Sequence, residues 1–153
     1  MQDMVIQREA PRQPGVLRLL ELSDAYVASL YPAESNHMLS IEELEADTVS
    51  FFVARRGKDV FGCASLVRND DGTTEIKRMF VDGSARGLKL GKRLLDQLES
   101  EARSLAISII RLETGIYQPE AIGLYRNAGY EEIPPFGDYK LDPLSLFMEK
   151  RLR

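Results

Sequence analysis

Three strand-forming runs lie end to end with only turn-length gaps between them. They read VSFFVAR from residue 49, VFGCASLVR from residue 60 and TEIKRMFV from residue 74. The first gap, RGKD, carries Gly57 and suits a hairpin. The second, NDDG, contains Asp-Gly, a strong short-range turn signal. Strands joined so closely must pair antiparallel, because a parallel pair needs a crossover of a dozen residues or more. Residues 49–81 therefore form a meander, and the next strand of the sheet has to arrive by a longer path.

That path is legible. From Gly91 onward, Leu94, Leu95, Leu98, Ala102 and Leu105 recur at spacings of three and four, the stripe of an amphipathic helix. A β-branched run, SIIRLET, follows from residue 108. Strand, helix and strand in succession make a β–α–β unit, so TEIKRMFV and SIIRLET should lie parallel. Before the meander, VIQR reads as a short first strand. PGVLRLLELSDAYVASL reads as a helix with Pro14 in its first turn. SIEELEAD opens with Ser40 three residues before Glu43, a capping-box pattern for a short helix. After SIIRLET, QPEAIGLYRNAG reads as a helix with Pro119 near its start and Gly129 as its stop. YEEI and SLFMEKRL complete the strands around the loop PPFGDYKLDPL. The expectation is one α/β domain over residues 1–153, a mixed, mostly antiparallel central sheet flanked by helices.

The junction DGSARGLKLGKRLL, residues 82–95, joins the meander to its crossover helix. A helix start exposes N–H groups that the helix cannot pair, and the helix dipole adds positive charge there, so it suits a phosphate. Gly87 and Gly91 let the backbone approach a bulky anion, and Arg86, Lys89, Lys92 and Arg93 add side-chain charge. A P-loop is excluded, since Gly87 and Gly91 are one residue too close and Arg93 stands where Ser or Thr is required. The G-x-G-x-x-G dinucleotide fingerprint is absent.

Composition narrows the function classes. Net charge is −4, so a nucleic-acid partner is not expected, since such domains tend to be basic. No apolar run approaches the roughly 18 residues of a membrane span, and MQDMVIQREA lacks a signal-peptide core. A cytoplasmic protein without a membrane partner is expected. The one cysteine, Cys63, permits neither an internal disulfide nor a thiolate metal cluster. It reads as a buried strand residue, with an acyl-carrying nucleophile as the alternative.

Taken together, EIKRMFVDGSARGLKLGKRLL, IIRLETG, QPEAIGLYRNAGY and LFMEK resemble the GNAT family of acetyl-coenzyme A-dependent N-acetyltransferases, over nearly the whole chain. The family's loop pattern is R/Q-x-x-G-x-G/A. Arg86 matches its first position and Gly91 its last, while Lys89 stands where the middle glycine is usual. YPAESNHML and PPFGDYKLDPLS further resemble a bacterial subgroup of GNAT proteins to which no acceptor can be attached.

The resemblance implies roles. Acetyl-CoA is the cofactor. The main chain of Met79, Phe80 and Val81 would pair with its pantetheine arm like an added strand. Arg86, Gly87, Leu88, Lys89, Leu90, Gly91 and Lys92 would wrap its pyrophosphate; apart from the resemblance, a lysine at 89 can take the helical backbone angles that a helix start requires, and that is the expectation. Gln118 matches a cofactor-touching position. Tyr125 matches a tyrosine that protonates the departing thiolate, and a hydroxyl protonated at neutral pH suits that task. The base that frees the amine is Glu75 or Glu113; a carboxylate near an apolar cleft can have its proton affinity raised. His37, in a polar connection, reads as a surface residue. The acceptor is expected between that connection and the last hairpin, with Tyr31, Glu34, Asn36, Phe136, Tyr139 and Ser145 as candidates. It would be a primary amine of a small molecule or peptide, and a homodimer is compatible with the family. A non-catalytic acyl-CoA-binding module of the same fold is the rival reading.

Overall fold

The computed structural model describes residues 3–85 and 87–153. Among these residues the chain runs β1 (Val5–Arg8), α1 (Pro14–Leu30), α2 (Ile41–Leu44), β2 (Val49–Arg56), β3 (Asp59–Arg68) and β4 (Thr74–Val81). It continues through α3 (Leu90–Ser104), β5 (Ile109–Gly115), α4 (Pro119–Asn127), β6 (Glu131–Ile133) and β7 (Ser145–Arg151). The strands form one sheet in the order β1-β2-β3-β4-β5-β7-β6. β4 and β5 are parallel, and every other neighbouring pair is antiparallel. This is a mixed α/β fold with a central sheet and flanking helices.

Period-two alternation sends side chains to two separate cores. Along β2, Phe52 and Ala54 join Leu66, Leu94, Leu95, Leu98 and Leu112 on the α3 and α4 face. Phe51 and Val53 join Val16, Leu19, Leu44 and Val60 on the face covered by α1 and α2. Both faces are covered, which is why β2 is apolar at consecutive positions. The expected capping box holds α2: Ser40 Oγ accepts from the Glu43 N–H at 3.2 Å, and Glu43 Oε1 accepts from the Ser40 N–H at 3.0 Å.

Two departures from regularity shape the middle of the sheet. β4 pairs with β3 as far as Val81, but with β5 only from Thr74 to Ile76. β5 itself continues beside β7 to Gly115. The two parallel strands therefore part after Ile76 and Leu112, and the β5-facing edge of residues 77–81 has no strand beside it. Within that free stretch Arg78 adopts φ +53°, and the β3–β4 register shifts nearby.

The second departure corrects an expectation. Lys89 does not take ordinary helical angles. It precedes α3 in the left-handed region, at φ 53° and ψ 34°. A side chain there crowds its own backbone, so a glycine would fit with less strain. The helix accordingly starts at Leu90, and its first helical bond runs from the Arg93 N–H to the Lys89 carbonyl at 3.1 Å.

Candidate active site

The gap between β4 and β5 opens a cavity of about 150 Å³. It pierces the sheet. α1 borders it on one face through Tyr26 and Val27, and α4 on the other through Ala121 and Tyr125. Met79 and Phe80 line it from β4, and Glu113, Thr114 and Gly115 from β5. A larger groove, of about 900 Å³, adjoins it and shares His37, Met38 and Lys77 as a common wall. Glu34, Glu75, Phe136 and Tyr139 line that groove.

The two candidate bases therefore face different spaces. Glu113 borders the small cavity, where Ser145 Oγ donates to its Oε2 at 2.8 Å. Burial raises its proton affinity above the usual carboxylate range, against the lowering effects of Ser145, His37 and Lys77. Glu75 is buried beside the groove. It pairs with Lys77 Nζ at 3.3 Å and accepts a hydrogen bond from the Tyr139 hydroxyl. Lys77 in turn donates to Tyr139 and, at 2.9 Å, to the His37 carbonyl.

Tyr125 is buried on α4, with its hydroxyl 3.7 Å from the Met79 sulfur. Burial first, and the charge of Glu113 second, push its proton affinity up, so the phenol holds its proton throughout the neutral range. A protonated phenol and a carboxylate of raised proton affinity thus border one cavity.

The other expected residues divide. Tyr31 ties α1 to the turn after β5. Its hydroxyl accepts from the Tyr117 N–H at 3.0 Å and donates to Gln118 Oε1 at 3.3 Å. It lies so close over Gly115 that a β-carbon there would sit 1.9 Å from the hydroxyl, so residue 115 must be glycine. Asn36 reaches the small cavity, and its side chain accepts from the Met38 N–H at 3.1 Å. Glu34 is exposed at the rim of the groove. Phe136 and Tyr139 pack edge to face at 5.1 Å on its wall. His37 is not the surface residue expected. Its segment folds over the gap, so it borders both cavities and packs against Tyr139 at 5.2 Å. Arg86 lies outside the described residues. Gly87 to Lys92 lead into α3, and open space surrounds Gly87.

Cys63 is fully buried on β3, and its thiol donates to the Arg78 carbonyl at 3.4 Å. Burial pushes the thiol up to about 12, and Cys63 borders neither cavity. A protonated thiol out of reach of the gap is a poor nucleophile.

One residue was missed by the sequence reading. Arg78 borders the small cavity with its side chain only 4% exposed, bonded through Nη1 to Asp24 on α1 at 2.7 Å. A signal for it exists. Lys77 and Arg78 are consecutive in a strand covered on both faces, so one of them must point into each face.

A model of the acetyltransferase (GNAT) family matches residues 17–130. The chain belongs to the GNAT family. An "IAA acetyltransferase" of Azospirillum brasilense is 48% identical over 153 residues, covering 99% of this chain and 100% of that one. The uncharacterised N-acetyltransferase YsnE of Bacillus subtilis is 35% identical over 124 residues, covering 79% and 82%. A solved Klebsiella pneumoniae structure, proposed in its name to be an acyl-CoA N-acyltransferase, superposes with TM-score 0.83 at 35% identity and 98% coverage of both chains. More distant GNAT-fold structures hold the cofactor. A Thermoplasma acidophilum acetyltransferase in complex with coenzyme A matches at TM-score 0.74 and 16% identity, covering 97% of this chain and 99% of that one. GNAT membership carries the acetyl-CoA-dependent acetyl transfer typical of this fold.

Proposed function

We propose that the chain moves the acetyl group of acetyl-CoA to a primary amine of a small molecule or peptide, by direct attack in a ternary complex. One observation carries this reading: Glu113 and Tyr125 border the same cavity, in the gap between two parallel strands. The thioester end of acetyl-CoA would lie in that gap. The strand edge at Met79, Phe80 and Val81 is free on the β5 side, as an added pantetheine strand would require. The α3 N-terminus, from Gly87 through Leu88, Lys89, Leu90 and Gly91 to Lys92, offers N–H groups and positive charge to the pyrophosphate. Gln118 borders the gap and is the side-chain candidate for a cofactor contact. When bound, acetyl-CoA supplies an activated thioester.

The remaining roles belong to the chain. Glu113, with its raised proton affinity, takes the proton from the acceptor amine. Main-chain N–H groups near Phe80 and Val81 stabilise negative charge on the carbonyl oxygen. Tyr125 donates its proton to the departing sulfur. Glu75, already paired with Lys77 and Tyr139, shapes the groove through which the acceptor arrives.

Thiol release from acetyl-CoA against a panel of primary amines tests the reading. Turnover of at least one primary amine is expected. Tyr125→Phe should cost about 10²-fold in kcat while leaving coenzyme A affinity unchanged. Tight coenzyme A binding with no turnover of any amine, wild type and Tyr125→Phe alike, would instead identify a binding module.

A further inference from the structure

Arg78 carries an unexplained donor. Its side chain is only 4% exposed, and its Nε–H has no partner among the described residues. Nη1 is occupied by Asp24 and touches the Met38 sulfur. One other buried side-chain nitrogen among the described residues is similarly orphaned, Arg56 Nε, but Arg56 borders neither the small cavity nor the groove. A desolvated guanidinium with a spare donor is costly to keep, and the cost is recovered when an anion meets it.

The place of that donor matters. Arg78 and Lys77 both border the small cavity with Glu113, and Lys77 is already matched by Glu75 at 3.3 Å. Asp24 fastens the guanidinium from outside the cavity, and its own side chain is 58% exposed. It holds Arg78 from that side and leaves Nε unpaired among the described residues. A guanidinium edge matches the planar fork of a carboxylate better than any other common anion group in a space this small.

We propose that the acceptor is an aminocarboxylate, an α-amino acid or close relative, whose carboxylate binds Arg78 while its amine faces Glu113. This rests on the acetyl-transfer reading given above. The thioester end of acetyl-CoA shares the gap, so only the amino and carboxylate head of the acceptor enters it. The rest of the acceptor extends past His37, Met38 and Lys77 into the groove, where Phe136 and Tyr139 offer aromatic surface.

The test uses matched pairs, an amino acid against its own carboxamide, for example phenylalanine against phenylalaninamide. Wild type should favour the carboxylate member at least tenfold in kcat/KM. Arg78→Met should lose that preference, falling at least tenfold on the acid and less than threefold on the amide. Arg78→Lys, which keeps the charge but lacks Nε, should fall between them and serves if the methionine variant does not fold. Binding of the amino acid in the presence of coenzyme A, followed by thermal shift, gives a readout independent of turnover. Equal kcat/KM for acid and amide in wild type would overturn the proposal. So would Arg78 variants that weaken coenzyme A binding, because the guanidinium would then serve the cofactor. Turnover of amines without any acid preference sinks the aminocarboxylate alone. Coenzyme A binding with no turnover, yet with amino-acid binding that needs Arg78, sinks the acetyl-transfer reading alone.

Discussion

Glu75 and Glu113 sit on neighbouring parallel strands, and their surroundings separate them. Glu75 meets a lysine at 3.3 Å and a tyrosine hydroxyl, so its negative charge is matched where it stands. Among the described residues Glu113 has only a serine hydroxyl as its direct partner, and burial raises its proton affinity. Two residues of one type thus fall into different chemical states across a single wall. The wall is Lys77, which reaches toward the groove and leaves Glu113 to the gap. A base needs a proton affinity near the working pH, and burial moves Glu113 in that direction.

The sharpest way to break this contrast is Glu113→Gln. General-base removal costs 10² to 10⁴ in typical cases, so kcat/KM should fall about 10²-fold or more, with coenzyme A affinity unchanged. The pH profile gives a second readout. Glu113 must be deprotonated to act, so the wild-type rate should fall on the acid side above the usual carboxylate value of about 4.3. That limb should vanish in the variant. Stability moves the other way. A carboxylate with raised proton affinity in the folded state favours folding while protonated, and that contribution is lost as pH rises through its folded-state value. Glu113→Gln should therefore melt no lower than wild type at pH 8. A variant with undiminished activity would remove Glu113 as base.

Glu75→Gln should have a smaller catalytic effect and a larger structural one. Lys77 loses its carboxylate while only 14% exposed, and breaking a buried pair from one side costs about 3–5 kcal/mol when burial is complete. Partial exposure reduces this to roughly 2 kcal/mol, visible as a lower melting temperature. Turnover should change less than tenfold, and mainly in the acceptor KM, because Glu75 borders the groove. A fall matching that of Glu113→Gln, with the melting temperature preserved, would reverse the assignment.

How much of this could be read in advance follows from locality. Both hairpins, the capping box and the β–α–β crossover depend on residues close together in sequence, and the structure has all of them. The parting of β4 and β5 after Ile76 was not legible, because where pairing stops depends on both strands and on what fills the gap. The choice between Glu75 and Glu113 needed the same long-range fact. Lys89 shows another limit. Its charge suggests an exposed residue, which it is, but nothing in its type reveals a left-handed backbone. His37 was misplaced because a polar segment reads as surface even when it folds across a cavity.

The mildest probe is Tyr139→Phe, which removes one hydroxyl from the Glu75 side of the wall. The ring should stay, since its edge-to-face packing with Phe136, Phe147 and His37 does not use the oxygen. Glu75 keeps Lys77 at 3.3 Å and loses one hydrogen bond. A bond to a charged group contributes about 1.5–3 kcal/mol, less where the charge retains another partner, so a stability loss near 1 kcal/mol is expected. Turnover should change less than threefold, and the acid limb assigned to Glu113 should stay where it is. If that limb shifts, the groove network reaches the base through Lys77. If it does not, the wall separates them electrostatically as well as sterically.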